Sequence, residues 1–329
     1  MRDVLRTPGV LSLFVASCVA RLPMGAIGLL LVLHTQALTG SYAAGGLAAG
    51  AYALALGLSN PVLGRVADRR GQTVLLRAGA PVAATAIVAV ALLPAGAPQG
   101  AIVACAVVAG LAQPPVGACM RALWPTLLTG PDQRHAAYAL EGAALEVVYI
   151  CGPVVIVAGV GSWSTAAAMI VCAGALLTGD LAFSAHPASR GWRPHRAPGR
   201  DLTGALRGRG VRVLFAVFAL IGLSIGAVEV VVPAALDAMG RRGLTGLLLG
   251  FWGVGSMLAG LLVARGGAPR DPARRLMLLL VGWSAAHAAV GAAGAPVTSR
   301  SCCSSRGRRS RRRSCAPMAC STTSRPPGR

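Results

Sequence analysis

The chain contains no lysine: all 31 of its basic residues are arginine, set against 10 acidic residues. Charged residues of every kind make up only 12% of the 329 positions. Soluble domains carry about 25%, so this shortage excludes an ordinary water-facing surface. The absence of lysine is read as the mark of a GC-rich gene and says nothing about function. Also missing is a glycine-rich phosphate loop, which argues against a built-in ATPase. There is no nucleophile paired with a base and no metal-ligating constellation, so neither an enzyme, nor a cofactor, nor a metal site is expected. Cys302, Cys303, Cys315 and Cys320 lack paired C-x-x-C spacing and a nearby histidine, which argues against zinc. Cys18, Cys105, Cys119, Cys151 and Cys172 fall inside apolar runs and read as small packing residues.

What is present is apolar sequence: 55% of the residues are hydrophobic and the mean hydropathy is +0.65. Long apolar runs cover 10–33, 42–63, 74–94, 101–123, 138–160, 163–185, 211–236, 243–264 and 276–297. Each is long enough to cross a hydrocarbon core as a helix and too long for an ordinary strand. In lipid the backbone must satisfy its own hydrogen bonds, so helices are the expected form. The expected fold class is therefore all-α, a polytopic membrane bundle of about nine helices. The first run is too long for a signal-peptide core and carries Arg21, so it is expected to be retained. Gly46-x-x-x-Gly50 and Gly222-x-x-x-Gly226 read as close-packing sites between helices. His34 and His287 read as hydrogen-bonded bystanders.

Arginine placement sets an expected orientation, because short basic loops stay in the cytoplasm. Arg2 and Arg6, then Arg65, Arg69 and Arg70, then Arg121 and Arg134, then Arg265, Arg270, Arg274 and Arg275 fall on one side. The loops near 34–41, 94–100 and 161–164 contain no charge, while Arg241 and Arg242 are a mild exception. An inner-membrane protein with a cytoplasmic N-terminus is expected. The Arg-rich stretch at 186–210 reads as a cytoplasmic linker between a six-helix half at 1–185 and a partial second half at 211–297.

Between the second and third runs stands Gly64-Arg65-Val66-Ala67-Asp68-Arg69-Arg70-Gly71, read as a short charged loop closing a hairpin. Gly64, Asp68, Arg69 and Gly71 form the pattern Gly-x-x-x-Asp-Arg-x-Gly, which resembles the signature loop of the major facilitator superfamily of secondary transporters. The family continues with two basic residues where this chain has Gln72 and Thr73. The resemblance implies a two-halved transporter normally built from twelve helices. It also implies that Asp68 helps hold one conformation through an arginine at the end of the fourth helix, a place Arg121 occupies. A purely local balance between Asp68 and its arginine neighbours is the alternative. Gly152-Pro153 in the fifth run resembles the Gly-Pro pair of the antiporter branch. The expected function is proton-coupled efflux of a small molecule by a monomer in the lipid bilayer. The alternative is a truncated, non-transporting membrane protein or a small-solute channel.

Charges inside membrane helices are where chemistry is expected, since each costs about 2.5–3.5 kcal/mol on insertion scales. Arg21 lies roughly 16 Å into the first helix and Glu146 roughly 12 Å into the fifth. Glu229 sits in the outer half of the seventh. Arg21, Glu146 and Glu229 are read either as lining a substrate and proton cavity, with either glutamate answering Arg21, or as a structural ion pair. Glu141 is read as capping the first turn of the fifth helix.

After Val297 there is no further Leu, Ile, Val or Phe, and residues 299–329 hold 9 Arg, 8 Ser and 4 Cys. Alternation would place this tail outside, against the positive-inside rule. Runs of Leu and Ala codons in a GC-rich gene, read out of register, yield Cys, Ser and Arg, so a frameshift near codon 298 is the expectation. Further apolar helices in another frame would bear it out. A nucleic-acid or anionic-lipid patch is the other reading, but no aromatic is interleaved to stack on bases, and no nucleic-acid partner is expected. Without the tail the net charge falls from +21 to +12.

Overall fold

The computed structural model describes residues 2–193, 208–265, 271 and 273–289. Among these residues every regular element is helical. The first helix, α1, runs over Val10–Thr39 and is interrupted by a 3-10 turn at Leu22–Gly25, where Pro23 removes a backbone donor. Then come α2 (Tyr42–Arg70), α3 (Gln72–Ala91), α4 (Gln99–Leu127), α5 (Pro131–Cys151, continued by a π-helical stretch at Gly152–Val160), α6 (Thr165–Ala185), α7 (Arg209–Ala238) and α8 (Thr245–Arg265). Seven of the described helices are long and apolar enough to cross a membrane, with Thr245–Ala259 a shorter apolar helix. A final helix, α9, covers 273–289, where Asp271 Oδ1 accepts from the Ala273 and Arg274 amides as an N-cap. The all-helical membrane fold is as the hydropathy required.

The chain divides into two compact units, Met1–Leu261 and Leu262–Arg329. The first contains two layers of core. One is built from Ile27, Leu30, Tyr52, Ile87, Ile102, Met169 and Leu176, the other from Val10, Leu13, Leu76, Met120, Trp124 and Phe183. Cys172 and Cys119 are packing members of these layers. His34 joins three helices: its Nε2 donates to the Val90 carbonyl at 3.2 Å and its Nδ1 pairs with Thr165 Oγ1 at 2.9 Å. In the second unit, His287 Nδ1 donates to the Trp283 carbonyl at 3.0 Å. Most of the linker expected at 186–210, the end of the ninth run and the whole Arg-rich tail lie outside the described residues.

Three expectations need correction. The signature is not a loop: α2 continues through Arg65, Asp68, Arg69 and Arg70, and the hairpin turns on Gly71 alone, at φ +86°. Arginines in a last helical turn complement the helix dipole, so charge alone did not mark an interruption. Second, α5 begins at Pro131, seven residues before the apolar run, so Glu141 stands mid-helix and caps nothing. Third, a Cβ on Gly222 or Gly226 would meet nothing within 4 Å. Glycine packing is instead found on α8, where Gly246 and Gly250 lie against Pro153, Val154 and Ala158.

Candidate functional site

The interrupted helices define the centre of the site. α4 breaks at Gln113-Pro114-Pro115 between Gln99–Ala112 and Val116–Leu127, because two prolines in succession remove donors and force extended backbone. The Tyr52 hydroxyl donates to Gln113 Oε1 across the break from α2. α5 passes from α to π geometry at Gly152, where Pro153 lacks an amide hydrogen. Its junction lies directly on the break in α1: a Cβ on Gly152 would sit 2.5 Å from the Gly25 carbonyl carbon. The Gly152-Pro153 pair thus lets two irregular backbones touch.

Arg21 ends the first half of α1 and is only 3% exposed. Its Nε donates to the Ser17 carbonyl at 3.1 Å and its Nη1 to Glu141 Oε1 at 3.1 Å. Glu141 also receives Arg121 Nη1 at 3.4 Å and, on Oε2, Trp124 Nε1 at 3.2 Å. The carboxylate expected to answer Arg21 was Glu146 or Glu229; the structure supplies Glu141, because the earlier start of α5 brings that residue to the depth of Arg21. Arg121 is used in the same node. Asp68 and Arg69 are exposed at the end of α2, and Asp68 makes no ion pair among the described residues.

Glu146 is half-buried on α5 with no ion pair among the described residues. Glu229 is half-buried on α7 and faces α1, its Oε2 standing 3.1 Å from where a Cβ on Gly28 would lie. Both carboxylates lie in the neighbourhood of Tyr149 of α5. α7 is held there by Val230 against Gly46 and by the Tyr42 hydroxyl, which donates to the Pro233 carbonyl at 3.4 Å. Among the described residues neither Glu146 nor Glu229 forms an ion pair, while Arg21 pairs with Glu141.

A family model described as the Major Facilitator Superfamily matches residues 13–303. The chain belongs to the Major Facilitator Superfamily. Members of this superfamily are membrane transporters, so a transport protein spanning the bilayer several times is the activity class. No curated protein matches the chain. Gly64, Asp68 and Arg69 lie at the end of α2, and Gly71 supplies the turn that follows.

Sequence reasoning missed charged residues inside the apolar runs, two of them buried or bonded to a neighbouring helix. Asp180 of α6 is 1% exposed, and Arg77 of α3 donates from Nε to Ser184 Oγ at 3.4 Å. The signal was available, since any ionisable residue within a membrane span is a candidate by its cost alone.

Proposed function

We propose that this superfamily member is a proton-coupled exporter of a small molecule, working by alternating access as a monomer in the inner membrane with its N-terminus in the cytoplasm. The observation that carries the proposal is the position of Glu229: a carboxylate on α7 facing α1, beside Tyr149 and Glu146, with no ion pair among the described residues. A carboxylate without a partner in a low-dielectric site gains most from taking up a proton or a cationic group, so it can exchange one for the other. Arg21 pairs with Glu141 and not with Glu229. The broken helices α1, α4 and α5 meet around the same region, as discontinuous helices do at transport sites. The Gly152-Pro153 junction supports export through its resemblance to the antiporter pair, and the arginine distribution supports the orientation.

The test is proton movement in vesicles reconstituted with the full chain and loaded with a pH-sensitive dye. A panel of lipophilic amines, sugars and amino acids is added under an imposed pH gradient. The expected result is dye response to at least one class, lost in Glu229→Gln and in Glu146→Gln. Substrate flux without proton movement would overturn the coupling, and no flux with any class would overturn transport of these substrates.

A further inference from the structure

Asp180 takes no part in the carboxylate pair described above, and its position calls for a different account. It lies five residues from the end of α6, 1% exposed, and its Oδ1 has no hydrogen-bond partner among the described residues. Among the described residues no arginine lies within salt-bridge distance of it. An ionised carboxylate in such surroundings is far costlier than a neutral acid. The neighbouring residue shows why water does not reach it. Gly179 lies so close to α1 that a Cβ there would collide with the backbone and side chain of Ala20. The first half of α1 and α6 are thus in backbone contact at the level of Asp180, and Ser17 Oγ on that half-helix is also buried with no hydrogen-bond partner among the described residues.

The charged and titratable groups around it are few. On α1, Arg21 is held by Glu141 and the Ser17 carbonyl, Cys18 lies beside Arg21, and His34 is bonded at the far end. On α4, Cys119 lies in the neighbourhood of Asp180. On α3, Arg77 reaches Ser184, one turn beyond Asp180 on the same helix, at 3.4 Å. Arg190 and His186 follow at the end of α6, where His186 Nδ1 accepts from the Ala188 amide.

We propose that Asp180 is a proton-binding site, occupied by a proton in this conformation, and that the proton exchanges when the first half of α1 moves off α6. On release the carboxyl gives up one proton and becomes an anion. Arg77, one turn away on Ser184, is the cation placed to answer it. The site is separate from Glu146 and Glu229 and stands or falls without them.

The experiment is infrared spectroscopy of the reconstituted full chain at neutral pH, unlabelled and with its seven aspartates carrying a 13C carboxyl, beside Asp180→Asn. Asparagine keeps the shape and neutrality of the protonated acid. The expected result is a protonated-carboxyl C=O band that shifts on aspartate labelling, disappears in Asp180→Asn and moves slowly after transfer to D2O. Absence of the band, or its persistence in the variant, overturns the assignment. An immediate shift in D2O overturns the link to helix movement. If the variant does not fold, labelling still decides: Asp68, Asp132 and Asp271 are exposed and Asp237 is half-buried, so a slowly exchanging aspartic acid band that persists in Asp3→Asn/Asp201→Asn belongs to Asp180.

Discussion

Arg21 and Glu141 lie 120 residues apart in the chain and meet at 3.1 Å, with side chains 3% and 4% exposed. The pair joins the end of the first half of α1, next to its 3-10 turn, to the middle of the regular part of α5. Removing one member of a buried pair leaves the other charge without compensation, at a cost of about 3–5 kcal/mol. Glu141→Ala is therefore expected to destabilise the protein by that order, measured by thermal unfolding in mild detergent. Arg121 contacts the same oxygen but is 55% exposed, so Arg121→Ala is expected to cost less than about 1 kcal/mol. Equal effects would contradict the unequal roles assigned here.

The two glycines of the signature should respond in opposite directions. Gly71 adopts φ +86° and ψ 152°, a region open essentially to glycine alone, where another residue costs about 1–3 kcal/mol. Gly64 is helical with nothing within 4 Å of a Cβ, and glycine inside a helix costs about 0.5–1 kcal/mol relative to alanine. Gly71→Ala is expected to lower the unfolding temperature and Gly64→Ala to raise it slightly. A loss of transport in Gly64→Ala without loss of stability would assign that glycine a role in movement.

Contact between the irregular parts of α1 and α5 depends on the absence of side chains. Gly152→Leu is expected to force Gly25 and Gly152 apart and to disrupt packing, seen as poor recovery of folded protein in detergent. Gly50→Leu, where a Cβ meets nothing within 4 Å, is expected to be recovered normally.

Tyr52→Phe removes the donor to Gln113 at the break in α4. A buried acceptor left unpaired costs about 1–3 kcal/mol. The expected result is a lower unfolding temperature, with Gln113→Leu in the same background restoring part of the loss. No change in Tyr52→Phe would mean that water serves Gln113 equally well.

The helices were legible in the sequence because lipid imposes a length: about 20 apolar residues have few other readings. Their interruptions were only partly legible. Pro23 and Pro114-Pro115 signal breaks by their chemistry, whereas the α to π transition at Gly152 follows from contact with α1, which no local pattern encodes. The start of α5 was placed seven residues late because Pro131 to Ala137 is polar in composition although Gly130-Pro131 is a helix-start signal. That error moved Glu141 from mid-helix to a cap and hid the partner of Arg21. Signature charges misled in the opposite way, since arginines suit a last helical turn as well as a loop. Asp180 was visible as a single acid in an apolar run; its lack of a partner was not.

The most direct measurement of alternating access uses Tyr149→Cys, introduced after replacing the nine native cysteines. Tyr149 lies beside both Glu146 and Glu229 and is 45% exposed. Membrane-impermeant maleimide is applied to oriented vesicles from one side, then from the other. Labelling from either side is expected, with the ratio shifted by a transported compound. Labelling from one side alone, unchanged by any compound, would contradict it.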